Sequence, residues 1–320
     1  MKGRSKLIIS VLTLLVVSIV IAGCGKKDGN TIRIGSGPSG GPNYMIVAGI
    51  SNLVTEEFSD YNISTEITTG SQENIRMIAQ GDAQFGISMV DAAYNAYNGT
   101  REYDKDTKEK INFVMGGPAT LIHFMVKADS DIQSINDLKG KSVGVARGVM
   151  GQYYMPIILE AYGLTDKDVD VKVLELADIS NALADGTIDA GAHITPFPET
   201  TTSDLAVTQG IRLLEFEENI ANKIIEENPY FFLGEIDGGT YSGIDNTVKT
   251  IGTRNVLIAS TDVDEETVYN FVKVIDEKFE KLKSIHPQAD AFNRDNALGG
   301  QLFPIHPGAE KYYKEIGVLE

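Results

Sequence analysis

The chain has 320 residues, one cysteine, no tryptophan and a formal net charge of -17 at pH 7. A single cysteine excludes an internal disulfide and a thiolate metal cluster, and an acidity of this size argues against nucleic acid or anionic lipid as a partner. The length suffices for two compact domains, each with its own core.

The first two dozen residues set the compartment. Lys2, Arg4 and Lys6 precede an apolar run over 7–22 that only Ser10, Thr13 and Ser18 interrupt. A basic start, an apolar stretch short for a membrane span and a small-residue end at Ile21-Ala22-Gly23 read as a secretory signal over 1–23. The stretch ending at Cys24 resembles a bacterial lipobox, which implies a diacylated Cys24 as first residue of the mature chain. Removing Lys2, Arg4 and Lys6 takes the net charge from -17 to -20. Residues 24–30 are then a lipidated tether, and the rest is expected outside the cytoplasm, held at a membrane face.

Beyond the tether, 31–34 begins a β-type run that Gly35-Ser36-Gly37-Pro38-Ser39-Gly40-Gly41 breaks, and Pro42 opens a helix. Ile46, Ile50, Leu53, Val54 and Phe58 follow at helical spacing. A strand at 63–67, a turn at Thr69-Gly70-Ser71, a short helix capped by Gly81 and a buried strand at 85–89 complete a βαβ pattern. The plan recurs with a strand at 142–146, a glycine-bearing loop at 147–151, a helix at 153–162 and a strand at 171–174. The segments 78–86 and 182–191 share a helix end, a glycine cap, a polar turn and a small-residue strand. This pairs Gly81 with Gly186 and Gly40 with Gly151, at separations of 105 and 111 residues. Two facing α/β lobes place their strand-end loops along one cleft. The β-rich stretches 121–127 and 254–260 are the expected crossings. Val268, Phe271, Val272, Ile275 and Phe279 form a helical stripe read as core.

Several chemical readings fail on the residues. Gly35-Ser36-Gly37-Pro38-Ser39-Gly40 fits G-x-G-x-x-G between a strand and a helix, yet Ile67 runs into Thr68 and Thr69 where a dinucleotide site needs an acid. What remains is glycine backbone able to approach an anion. His123, His193, His286 and His306 lack metal-ligand spacing, and no G-x-S-x-G elbow is present. Asp91, Asp185 and Asp189 sit at a helix start and in turns, where capping is the ordinary duty. No cofactor, metal or catalytic residue is expected, and the chain is read as a non-enzyme.

From Ile32 onward the sequence resembles the TAXI-type solute receptors of TRAP transporters. The resemblance rests on Ile34-Gly35-Ser36-Gly37 with Ser39-Gly40-Gly41 and Tyr44, on Thr69-Gly70-Ser71 with Glu73-Asn74-Ile75-Arg76, and on 79–83. It continues through Ile135-Asn136-Asp137-Leu138-Lys139-Gly140-Lys141 and 305–313. It implies an α/β, type II periplasmic-binding-protein fold, with two α/β lobes joined by a two-strand hinge and a ligand cleft between them. Lobe 1 would comprise 31–122 with 258–320, and lobe 2 residues 123–257. It further implies capture of a small carboxylate or amino acid for a TRAP-type permease by a monomer. Carried over residue by residue, the first-lobe site is Ser36, Ser39, Tyr44, Ser71 and Asn74. The sequence departs from the family pattern at Pro42 and Met89, and again where Arg147, Met150, Gly151 and Gln152 stand. Met89 and that loop are therefore taken as contacts of its own, with Arg147 as a bidentate partner for a carboxylate. Thr195 and Pro196 would form the opposite wall. The alternative is a receptor for an ABC importer, or a ligand sensor.

Overall fold

The computed structural model of the chain describes residues 31–103 and 106–320; the signal, the tether and Cys24 lie outside the described residues. Strands β1 (Thr31–Gly35), β2 (Asn62–Glu66) and β3 (Phe85–Met89) alternate with helices α1 (Pro42–Glu57), α2 (Ser71–Gln80) and α3 (Val90–Asn98). The long β4 (Ile111–Lys127) leads into β5 (Ser142–Ala146), a π-helical turn (Met150–Tyr154), α4 (Met155–Ala161), β6 (Asp170–Leu174), α5 (Leu176–Asp185) and β7 (Ala190–Thr195). After α6 (Thr200–Thr208), β8 (Ile211–Leu213), α7 (Glu218–Glu227) and β9 (Phe232–Ile236), the long β10 (Val248–Ser260) returns. The C-terminal part holds α8 (Glu265–Glu277), α9 (Phe279–Lys283), a 3-10 turn (Pro287–Ala291) and α10 (Pro307–Glu315).

The strands form one sheet in the order β2-β1-β3-β10-β4-β7-β5-β6, with β8 beside β4 and β9 beside β10. β1 pairs in parallel with β2 and β3, and β5 in parallel with β6 and β7. Between these two parallel sets run β4 and β10, antiparallel to each other. They are longer than the sequence stretches that announced them: β4 starts ten residues earlier, beside β10 in the first set, and β10 starts six residues earlier, beside β9. The architecture is two α/β lobes joined by two strands.

Three apolar cores hold it. One lies under α1, α8 and α10, where Val268, Phe271, Val272 and Ile275 are buried and Phe85 stacks on Phe271 at 4.3 Å. Phe279, expected in the same stripe, belongs to the next helix. A second, in the second lobe, gathers Leu121, Met125, Ile179, Leu183 and Tyr241. The third crosses from lobe to lobe: Val90 and Ala93 of α3 share it with Tyr154, Met155 and Phe231.

The lobe duplication holds at one of its two glycine pairs. Gly81 and Gly186 both close a helix in the left-handed region, with φ of 79° and 72°, a conformation that costs other residues about 1 kcal/mol more. Gly151 does not match Gly40. It sits inside the π-helical turn, and the left-handed residue of its loop is Gly148, with φ of 93°. The expected helix over 153–162 begins its α-helical part at Met155, with Pro156 in the first turn, where its missing N–H leaves no bond unmade. Among the described residues no helix is long and apolar enough to cross a membrane.

Candidate functional site

The register fixes where the strand ends meet. Asn255 of β10 lies opposite Met89, the last residue of β3, and Leu121 of β4 lies opposite Thr195, the last residue of β7. The carboxyl ends of both parallel sets therefore point toward the middle of β4 and β10, where an open α/β sheet places its ligand. A cavity of about 220 Å³ opens there. The first lobe contributes Pro38 and the start of α1 (Gly41, Pro42, Asn43, Tyr44), the second lobe Pro196, the crossing strands Thr120 and Asn255, and the 3-10 turn Gln288. Of the sequence-derived candidates, Tyr44 and Pro196 are brought together in this cavity. Asn43, Thr120, Asn255 and Gln288 were missed by sequence. For Thr120 and Asn255 the signal was near, since each lies within two residues of an end of an expected crossing stretch.

Other candidates in the first lobe tie its loops to one another. The Ser36 hydroxyl donates to the Glu66 carbonyl at 2.6 Å, joining the ends of β1 and β2. Ser71 Oγ accepts the Met89 N–H at 2.9 Å, joining the start of α2 to the end of β3. Asn74, fully buried, donates through Nδ2 to the carbonyls of Ser36 at 2.9 Å and Ile87 at 2.7 Å. Its side chain lies so close to Gly35 that a methyl group there would collide with it. Ser36 and Asn74 thus present no free side-chain surface to the cleft. They hold the glycine loop in place by satisfying backbone groups that would otherwise be costly to bury. Ser39 is exposed in the turn before α1, and Met89 is half-buried at the start of α3.

In the second lobe Arg147 lies at the rim, 66% exposed, with Nε donating to Glu175 at 2.6 Å. It is not part of the cavity wall. Met150 is buried in the core that crosses the lobes, Gly151 is half-buried, and Gln152 is exposed, bonded through Nε2 to the Tyr153 hydroxyl at 2.9 Å.

The loop carrying Thr195 and Pro196 rests on two buried histidines. His123 and His193 face each other across β4 and β7, their rings stacked at 4.6 Å. His123 Nδ1 lies 3.0 Å from the Leu121 carbonyl. A carbonyl only accepts, so Nδ1 carries the hydrogen and Nε2 accepts from the Tyr241 hydroxyl, also at 3.0 Å. Tyr241 in turn accepts the Glu199 N–H. The Thr202 hydroxyl donates to the Glu199 carboxylate at 2.8 Å and therefore accepts from His193 Nε2 at 3.0 Å. Burial pushes the His123 pKa down to about 4 and holds that of His193 well below the usual range, the neighbouring ring adding to the second shift. Burial works against the charge of Glu199, yet the Thr201 and Thr202 N–H groups overcome it and keep its pKa low.

One further contact joins the lobes. Asp91, almost fully buried at the start of α3, pairs with Arg101 at 3.1 Å. The guanidinium lies over the ring of Tyr153 at 4.4 Å and that of Tyr230 at 5.2 Å, and donates to the Tyr230 hydroxyl at 2.6 Å. The next residue, Glu102, accepts from the Tyr153 hydroxyl at 2.8 Å and from Gln72 at 2.7 Å. Burial raises the Asp91 pKa, against the opposing pull of Arg101. Sequence spacing had suggested only a cap for Asp91.

A family model described as the NMT1-like family matches residues 34–317. Among solved structures, the periplasmic aliphatic sulphonate binding protein SsuA from Escherichia coli is similar at 16% identity and a TM-score of 0.51, over 89% of this chain and 78% of that one. A protein from Xanthomonas citri bound to chloride ion is similar at 12% identity and a TM-score of 0.50, over 90% of this chain and 97% of that one. At these identities the likeness is one of fold, and the fold is the type II arrangement of two lobes about a cleft.

Proposed function

The chain belongs to the NMT1-like family, and we propose that it is an extracytoplasmic solute-binding protein, not an enzyme. It would capture a small organic anion between its lobes and deliver it to a membrane importer. The observation that carries this reading is the inter-lobe cavity, walled by both lobes and both crossing strands. A ligand there touches every part whose relative position changes on closure, so it favours the closed state by its contacts to both lobes. The start of α1 supports an anionic head group. This helix opens into the cavity with no acidic residue in its first turn and no side-chain cap, leaving backbone N–H groups at its positive end. The sulphonate and chloride named for the two similar structures agree with that reading. A carboxylate, the expectation from sequence, uses the same geometry. Lipidation of Cys24 would hold the protein at the membrane. Of the two recipients considered, an ABC-type importer is preferred, because the TRAP-type expectation rested on the TAXI resemblance alone.

A melting-temperature screen of small carboxylates, sulphonates, amino acids and sugars, followed by calorimetry on each hit, tests the proposal. A stoichiometric hit whose affinity falls when Tyr44 is replaced by Ala supports it. No stabilisation by any of the four classes would sink it.

A further inference from the structure

The lobes are joined at a second place, away from the cavity, and Arg101 stands at its centre. Its backbone lies in the left-handed region, with φ of 57°, which an L side chain adopts only where its surroundings hold it there. Within its own lobe the guanidinium pairs with buried Asp91 at 3.1 Å. From the other lobe come the rings of Tyr153 and Tyr230, and the Tyr230 hydroxyl accepts from Arg101 at 2.6 Å. Glu102 accepts from the Tyr153 hydroxyl at 2.8 Å. Two consecutive residues of the first lobe thus grip two tyrosines of the second. Each part of this clasp adjoins the core that crosses the lobes, since Val90, Tyr154 and Phe231 are the chain neighbours of Asp91, Tyr153 and Tyr230. The clasp is the wet margin of that core. A cavity of about 500 Å³ runs along it, with Tyr94, Arg101, Tyr153 and Tyr230 on its wall. None of the clasp residues lies on the wall of the smaller cavity beside Tyr44 and Pro196, and α1 and α3 pack into different cores. The clasp and a ligand in that smaller cavity therefore act on one lobe movement through separate contacts.

We infer that this clasp holds the lobes closed through the protein's own contacts, and that opening the cleft means parting Arg101 and Glu102 from Tyr153 and Tyr230. The movement follows from the two-lobed architecture; its use in admitting a solute rests on the solute-binding reading above. Both tyrosine hydroxyls bond a charged group, and a bond of that kind made only between closed lobes multiplies the closed-to-open ratio about tenfold. The apparent affinity for a solute that requires closed lobes scales with the closed fraction. Arg101 is then a positioning residue, acting on binding without touching the solute.

Pulsed electron–electron double resonance on full-length protein, refolded from urea to strip any solute, tests this. Nitroxides on Asp82→Cys and Lys167→Cys, exposed positions of the first and second lobes, report the lobe separation in a Cys24→Ser background. With the clasp intact, one distance should predominate. Tyr153→Phe with Tyr230→Phe keeps both rings over the guanidinium and removes only the hydroxyls; it should raise the population at a longer distance about tenfold or more. Arg101→Gln with Asp91→Asn removes the cation and the buried charge together and should make the longer distance the main one. Tyr269→Phe removes a hydroxyl bonded to Glu315 at 2.6 Å within the first lobe and should change nothing. A merely structural role for Arg101 predicts a lower urea midpoint with the original distance in both double variants, and that result overturns the clasp. A longer distance already predominant with the clasp intact overturns it too. Neither readout needs a solute, so a blank melting screen sinks the solute-binding reading and leaves the clasp to stand or fall on the distances.

Discussion

Arg101 and Tyr153 come from opposite lobes, and the guanidinium of the first lies 4.4 Å above the ring of the second while also pairing with buried Asp91. Removing the cation leaves an unpaired carboxylate in a desolvated place. Arg101→Ala is therefore expected to lower stability by about 3 kcal/mol, read as a shift in the midpoint of urea unfolding. Adding Asp91→Asn to that variant should restore much of the loss. If the double variant is as unstable as Arg101→Ala alone, the buried charge is not the cause.

The stacked histidines give stability a definite dependence on pH. The unfolded His123 titrates near 6.5 and the folded one near 4, so between these values the unfolded chain binds the extra proton. Stability contributed by neutral His123 is fully present above about pH 6.5 and is lost as pH falls toward 4. The loss between pH 7 and pH 4.5 comes to about 2 kcal/mol for this residue. His193 moves in the same direction. Comparing urea unfolding of wild type and His123→Gln at both values isolates it, and an equal pH slope in the two proteins would contradict the assignment.

Asn74 tests whether loop order matters to binding. Asn74→Asp puts a carboxylate against the two carbonyls that the amide now serves, which is expected to cost about 3 kcal/mol of stability. Ligand affinity should fall as well, measured below the unfolding temperature, although Asn74 is not on the cavity wall.

Arg147 should matter little. Its ion pair with Glu175 is solvent-exposed at both ends, and such pairs are worth less than about 1 kcal/mol. Calorimetry of Arg147→Ala with any ligand found in the screen should give an affinity within about threefold of wild type. A loss of thirtyfold or more would mean that the guanidinium turns into the cleft on binding.

The lobes were legible because their signals are local. Gly81 and Gly186 announce helix ends whatever lies elsewhere, and the stripe from Val268 to Ile275 announces a buried helix face from spacing alone. Pro196 was legible as a position just beyond a strand that ends at the cleft, and Tyr44 through the family resemblance carried by the glycine loop before it. Thr120 and Asn255 were not, because a residue inside a crossing strand faces the cavity only by virtue of the strands beside it. Arg101 was hidden for a similar reason: one of its partners, Tyr230, stands 129 residues away, and nothing near Arg101 in sequence points there. Ser36 and Asn74 carried the right residue types for ligand contact, yet the same groups serve equally well to bind backbone, and the buried loop took them.

The apolar core shared by Val90, Ala93, Tyr154 and Phe231 limits how the two lobes can move. With one face of the two lobes packed together, any hinge movement that keeps this core intact is confined to a narrow arc. Recognition by overall shape would then discriminate poorly. Under the proposed function, a membrane partner docking across the mouth of the cavity, beside Tyr44 and Pro196, would sense occupancy as a local change of surface, a signal that survives even if the global movement is small.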